Sequence, residues 1–391
     1  YGTNGFRLSF ADDAEVEAFN TVLYRGTGTA GLSVTGMGFQ PDLVWIKRRT
    51  AVSNHHLIDS VRGVDALLFP STTNAEISSP DSLSSFDADG FTLNGTDATN
   101  PAQNSSGQNF VAWGWKAGDS NVSNTDGSIT STVRANTTYG FSIVSYVGTG
   151  ANATVGHSLG AVPSWIIVKN RDRSSNWTVW HNDLNQNQIL ELSTSAAVQT
   201  DNIFWNNTLP TSTVFSVAGP GDNSTNASGE DLIAYCWAEK AGYSKFGSYT
   251  GQPSETTGFK PAFILIKNIT DGGTDWVLWD NTRNADNGDR ILRPNLDATE
   301  ASETIDITDT GFTAGTGSYV GASGKTYIYA AFADTREAAF WLDQSGNDND
   351  WQPVNLDHND TVADSPTDNF ATLNPLFVSP NVSLKDGNLV L

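Results

Sequence analysis

Gly38-Phe39-Gln40-Pro41-Asp42-Leu43-Val44-Trp45-Ile46-Lys47 is a proline-marked approach to a run of β-branched and aromatic residues that stops at a lysine. The pattern returns as Gly160-Ala161-Val162-Pro163-Ser164-Trp165-Ile166-Ile167-Val168-Lys169 and again as Gly258-Phe259-Lys260-Pro261-Ala262-Phe263-Ile264-Leu265-Ile266-Lys267. Residues of this kind favour a pleated, buried backbone, and a proline is tolerated where a strand begins. Each passage therefore predicts a buried strand.

Outward from each strand the landmarks keep their spacing. A Ser-Gly turn opens a second apolar run at Phe110–Trp115, Leu232–Trp237 and Tyr327–Phe332, and the proline-to-glycine distances are 66, 66 and 63 residues. A Tyr-Gly element precedes each unit, around Tyr24, Tyr146 and Tyr249, and the first two units hold one offset of 122 residues at all three landmarks. Weaker matches lie between, such as Trp177–His181 with Trp276–Asp280 and His56–Asp59. Short strands with regular turn signals are the mark of β-sandwiches. The expectation is an all-β protein of three homologous sandwich-like repeats at 22–120, 138–245 and 246–336. Residues 1–21 read as the last strand and exit of a preceding unit, 121–137 as a linker, and 337–391 as a polar, loop-rich exit segment. The repeats could be beads in a row or a compact assembly in which each covers its neighbour's edges; the spacing leaves both open.

Composition removes several functions. Lys and Arg number 21 against 43 Asp and Glu, a net charge of −22. Phosphate backbones and anionic bilayers are held by clustered cations, so neither nucleic acid nor membrane insertion is expected. One cysteine in 391 residues excludes a disulfide scaffold. Cys236 aligns with Gly114 and Ala331, a small-residue strand position, and reads as core.

Three further passages carry a resemblance. They are Ser53–Gly63, with its His55-His56 pair; Thr125–Val133 followed by Gly140–Tyr146; and Ala241–Tyr249. With the proline-led strands and the Asp364–Pro375 tail, they resemble a module of bacteriophage tail-fibre and other virion proteins, marine phages especially. The resemblance covers nearly the whole chain. It implies a virion or extracellular location, a homotrimer, other virion proteins and a host-surface glycan as partners, and no catalytic residues. A capsid decoration or scaffold without a ligand is the alternative, and a polysaccharide depolymerase a third.

Site candidates are few. Aromatic faces stack on sugars, yet Trp45, Trp113, Trp115, Trp165, Trp180, Trp237, Trp276 and Trp279 sit in apolar runs and read as core. Trp205, Trp341 and Trp351 lie in polar contexts and are the candidates for exposed glycan contact. Asp343, Asn347, Asp348 and Asp350 alternate oxygen donors as a Ca²⁺ loop does, although an Asx-rich turn explains them equally. Asp343-Gln344-Ser345-Gly346-Asn347 also resembles a turn of laminin-G-like, concanavalin-type sandwiches. No further cofactor is expected. His55, His56 and Asp59 read as a polar cluster lacking a third strong zinc ligand. No nucleophile elbow, phosphate loop or facing carboxylate pair stands out, so the expectation is a protein that is not an enzyme.

Overall fold

A computed structural model describes residues 18–96, 102–219, 221, 224–283 and 290–333. The protein is all-β, and its strands pair antiparallel throughout. Residues Ala18–Ala333 form one compact unit, so the repeats are an assembly rather than beads. No helix among the described residues is long and apolar enough to cross a membrane.

Each repeat folds around the same four-stranded sheet. In repeat 1 the order is Phe19–Arg25, Asn109–Trp115, Leu43–Arg48, His56–Asp59. In repeat 2 it is Phe141–Val147, Asp231–Trp237, Trp165–Asn170, Thr178–His181. Repeat 3 uses Ser244–Thr250, Thr326–Ala333, Pro261–Asn268 and Val277–Asp280. The last strand of each repeat thus lies between its first strand and its proline-led strand. A smaller sheet, such as Leu32–Thr35 with Gly90–Leu93 and Leu83–Asp87, forms the second layer.

Both faces of the main sheets are buried, which is why their sequences are continuous apolar runs rather than alternations. In repeat 3 Ile264, Ile266, Trp279 and Ala331 face that repeat's own core. Their sheet neighbours Phe263, Leu265, Leu278, Ala330 and Phe332 belong to a core shared by all three repeats. At its centre the equivalent residues Trp115, Trp237 and Phe332 meet. Their ring centroids lie 6.1 Å (Trp115–Trp237), 5.7 Å (Trp115–Phe332) and 6.4 Å (Trp237–Phe332) apart. This is a threefold hub built from one chain.

The repeats close in a cycle. Trp177 of repeat 2 donates its indole N–H to the Phe69 carbonyl of repeat 1, at 3.1 Å. Trp276 of repeat 3 does the same to Glu191 of repeat 2, at 3.0 Å. The equivalent His55 of repeat 1 reaches the Arg293 carbonyl of repeat 3, at 3.1 Å. Backbone bonds follow the same circuit: Glu76 N to Arg171 O, Val198 N to Ile269 O, and Glu300 N to Arg49 O. A head-to-tail contact that closes after three steps leaves no unsatisfied end.

Four boundaries move. The opening strand of repeat 1 starts at Phe19, so residues 18–21 belong to that repeat and not to a preceding unit. Residues 121–137 are not a linker. Val122–Asn124 pairs with Ser131–Asn136, which pairs with Phe141–Val147; with Gln188–Glu191 and Gln199–Thr200 at the other edge, the second sheet has eight strands. The polarity of the first two reflects a position at the edge of the sheet, where Val122, Ser123 and Thr132 are exposed. Repeat 3 opens at Ser244, and its compact unit ends at Ala333.

Buried cations and imidazoles recur through the fold, some of them at the junctions. Lys47, Lys169 and Lys267 are fully buried at equivalent positions. The Lys47 ammonium donates to carbonyls of Arg48 and Asp297, and that of Lys169 to those of Thr73, Asn170 and Arg173. Burial draws each of the three down to about 8. In His55, His157 and His181 the Nδ1 accepts an N–H and the Nε2 faces a carbonyl, which fixes the neutral tautomer. Burial lowers all four histidines of this unit, His56 to about 3 and His181 to about 4.

The sign of the pH dependence follows. In the unfolded chain lysine titrates near 10.4 and histidine near 6.5, so the folded state binds fewer protons than the unfolded state below those values. Stability from these groups is present above the unfolded pKa and is lost as pH falls. Burial raises the Tyr24, Tyr235, Tyr243 and Tyr249 phenols, so stability is also lost above about pH 10. Melting temperature should peak near pH 10, decline toward about pH 8 as the unfolded state takes up protons on its lysines, and fall again between about pH 6.5 and 4. A flat profile from neutral to mildly acid pH would contradict the neutral-histidine assignment.

Candidate functional site

The three junctions differ in chemistry. At the junction of repeats 1 and 2, the fully buried Arg62 holds Asp59 at 2.5 Å and Glu76 at 2.8 Å. Tyr235 donates to Asp59 at 2.7 Å, and Arg171 meets Glu76 at 2.8 Å from the other repeat. Burial opposes the Glu76 charge, but the two guanidinium partners prevail and hold its carboxyl below the usual range. The junction of repeats 3 and 1 repeats the device. Arg283 binds Asp280 at 2.5 Å and Glu300 at 3.4 Å, Arg49 binds Glu300 at 2.5 Å, and Trp113 donates to Asp280 at 3.0 Å.

The junction of repeats 2 and 3 abandons it. At the corresponding positions stand His181, Leu184, Val198 and Ile269, so ions give way to an apolar contact and one neutral imidazole. Beside this junction a cleft of about 560 Å³ opens to solvent. Asn182, Asp183 and Glu239 of repeat 2 face Lys245, Ser248, Glu255 and Tyr329 of repeat 3 across it.

Strand register explains how the cleft is shaped at this junction. Val22 pairs with Ala112 in repeat 1, and Val144 with Ala234 in repeat 2. The equivalent pair in repeat 3 is Gly247 with Tyr329. A Cβ on Gly247 would lie 2.8 Å from the Tyr329 hydroxyl oxygen, so the glycine is what admits the phenol. In the second layer, Val34 and Val155 are buried opposite Phe91 and Phe215, and their counterpart opposite Phe312 is Glu255. Three positions that are Val, Ala and Val in two repeats become Gly, Tyr and Glu in the third. A packed apolar contact is thereby exchanged for a polar wall.

Electrostatics follow from this wall. Tyr329 donates its hydroxyl to Glu255. Burial raises the Glu255 carboxyl, while the bond from Tyr329 works the other way. Burial, followed by Glu255, also raises the Tyr329 phenol. Glu239 takes the Lys245 ammonium at 2.7 Å and the Phe246 amide at 3.1 Å. Three carboxylates against one ammonium leave the cleft acidic, with amide and hydroxyl groups between them.

Of the residues singled out from sequence for glycan or metal contact, only Trp205 is among those described, and it does not line the cleft. Trp205 is buried, at 3 % exposure, and so is not an exposed contact. Asn206 and Asn207 adopt left-handed φ of 48° and 49°, and the turn they form carries the ring into the shared core. Trp341, Trp351, Asp343, Asn347, Asp348 and Asp350 lie outside the described residues. The eight tryptophans assigned to core are all buried, and so is Cys236. Among the described residues no group of three or more His, Cys, Asp or Glu could hold a metal. The sequence reading missed Gly247, Glu255 and Tyr329, because their equivalence to Val, Val and Ala in the sister repeats rests on strand register.

The fold and its junctions define a class: a single-chain, three-repeat β assembly closed around an aromatic hub. The family model described as "Domain of unknown function (DUF7483)" matches residues 15–336, and the chain belongs to that family. No curated protein and no solved structure matches the chain.

Proposed function

We propose that the protein is a bacteriophage virion surface or tail-fibre component that contacts host-surface glycans through the cleft between repeats 2 and 3. Its partners on this reading are further copies of itself in a trimer, other virion proteins and the glycan. Binding is non-covalent and weak at one site, and oligomer valency multiplies it. The observation that carries the reading is the cleft. A repeat architecture that seals the same position twice with Val and Ala opens it once with Gly, Tyr and Glu, beside amide and hydroxyl groups suited to sugar hydroxyls. The resemblance of the repeat motifs to a module of virion proteins suggests the setting.

The closed ring favours a second reading, a ligand-free decoration or scaffold, because a rigid assembly is useful without any site. Light scattering combined with a glycan array on the purified chain separates the two. The adhesive reading expects a trimer and array binding, whereas a monomer that binds no glycan would sink it. Release of reducing sugar from host polysaccharide would move the protein into the depolymerase class.

A further inference from the structure

The ligand class of this cleft follows from its charge and from the repeat positions that formed it; the inference rests on the cleft being a glycan site. Asp183, Glu239 and Glu255 line it, and its one ammonium, Lys245, is engaged by Glu239 at 2.7 Å. We infer that the cleft takes an uncharged saccharide with vicinal hydroxyls, of one or two rings, and turns away sialic and uronic acids.

Two arguments meet here. A carboxylate offers two oxygens and accepts from two adjacent hydroxyls at once, while the Asn182 amide and the Ser248 and Thr256 hydroxyls can donate to ring and hydroxyl oxygens. A carboxylated sugar would instead place a fourth negative charge among three, and like charges at these separations repel. A cleft of about 560 Å³ accommodates a mono- or disaccharide rather than a long chain. Tyr329 is only 2 % exposed, so it shapes the floor and orients Glu255 rather than stacking on a ring.

The repeats also provide the control. Gly247→Val, Tyr329→Ala and Glu255→Val together install the residues that repeats 1 and 2 pack at the same places, so this triple variant has two working precedents within the chain. Titration calorimetry would compare neutral hexoses and their disaccharides with glucuronic acid and N-acetylneuraminic acid, on the whole chain.

Neutral sugars should bind at least tenfold more tightly than the acids, and the triple variant should fold and lose that binding. Glu255→Gln, which keeps the shape, should narrow the preference by about tenfold. Equal or tighter binding of the acidic sugars would overturn the ligand class while leaving the glycan reading standing. Unchanged binding by the triple variant would place the glycan site elsewhere. Absence of binding to every sugar, with the wild-type chain folded, would overturn the glycan reading itself.

Discussion

Replacing Trp237 by alanine is expected to cost about 3–5 kcal/mol and to weaken all three repeats together. Trp237 stacks on Trp165 at 4.6 Å and on Phe141 at 4.8 Å within its own repeat. It also meets Trp115 of repeat 1 at 6.1 Å and Phe332 of repeat 3 at 6.4 Å. Removing it leaves a cavity where three sheets converge, and no single sheet can collapse into it without losing its neighbours. Domains are stable by only about 5–15 kcal/mol, so the loss is a large fraction of the whole. Guanidinium denaturation followed by tryptophan fluorescence and by far-ultraviolet circular dichroism should give one coincident transition, shifted to lower denaturant. Separate transitions, or a loss below about 1 kcal/mol, would mean that the repeats fold as independent beads.

The second large effect is at the junction of repeats 1 and 2. Arg62→Leu should destabilise by about 3–5 kcal/mol, because it strands the fully buried Asp59 and leaves Glu76 with Arg171 alone. The penalty comes from the uncompensated charges rather than from the lost contact. Repeat 2 shows a different solution at the same places, with His181, Leu184 and Val198 facing Ile269. Installing that set as Asp59→His, Arg62→Leu, Glu76→Val and Arg171→Ile should therefore recover most of the loss, since a buried ion network is often replaceable by apolar groups at little cost. Thermal and chemical denaturation of the two variants side by side would decide it. A single variant as stable as wild type would show that the network is inert. A fourfold variant no better than the single would show that the junction needs its charges.

Much of this was legible in the chain. The proline-led runs ending in Lys47, Lys169 and Lys267 became strands at equivalent places, and the constant offset of 122 residues became the same strand register in the main sheets of repeats 1 and 2. Their uninterrupted apolar character reflected sheets with two buried faces. Glu76 and Glu300, at equivalent places in repeats 1 and 3, are the acceptors of Arg171 and Arg49 across two junctions. Trp205 was misread because its polar neighbours suggested exposure, and only a left-handed turn after it sends the ring inward.

Periodicity and landmark spacing alone determined the class of fold, the three repeats and the core residues carried by strands, because a strand's pattern depends on which of its faces meets water. The closure of the repeats into a ring was decided by tertiary structure. The indole of Trp177 and the carbonyl of Phe69 are 108 residues apart, and no local preference links them. The cleft belongs to the same level. Gly247, Tyr329 and Glu255 are unremarkable as single residues, and become a polar wall only when strand register sets them where Val, Ala and Val are packed in the sister repeats.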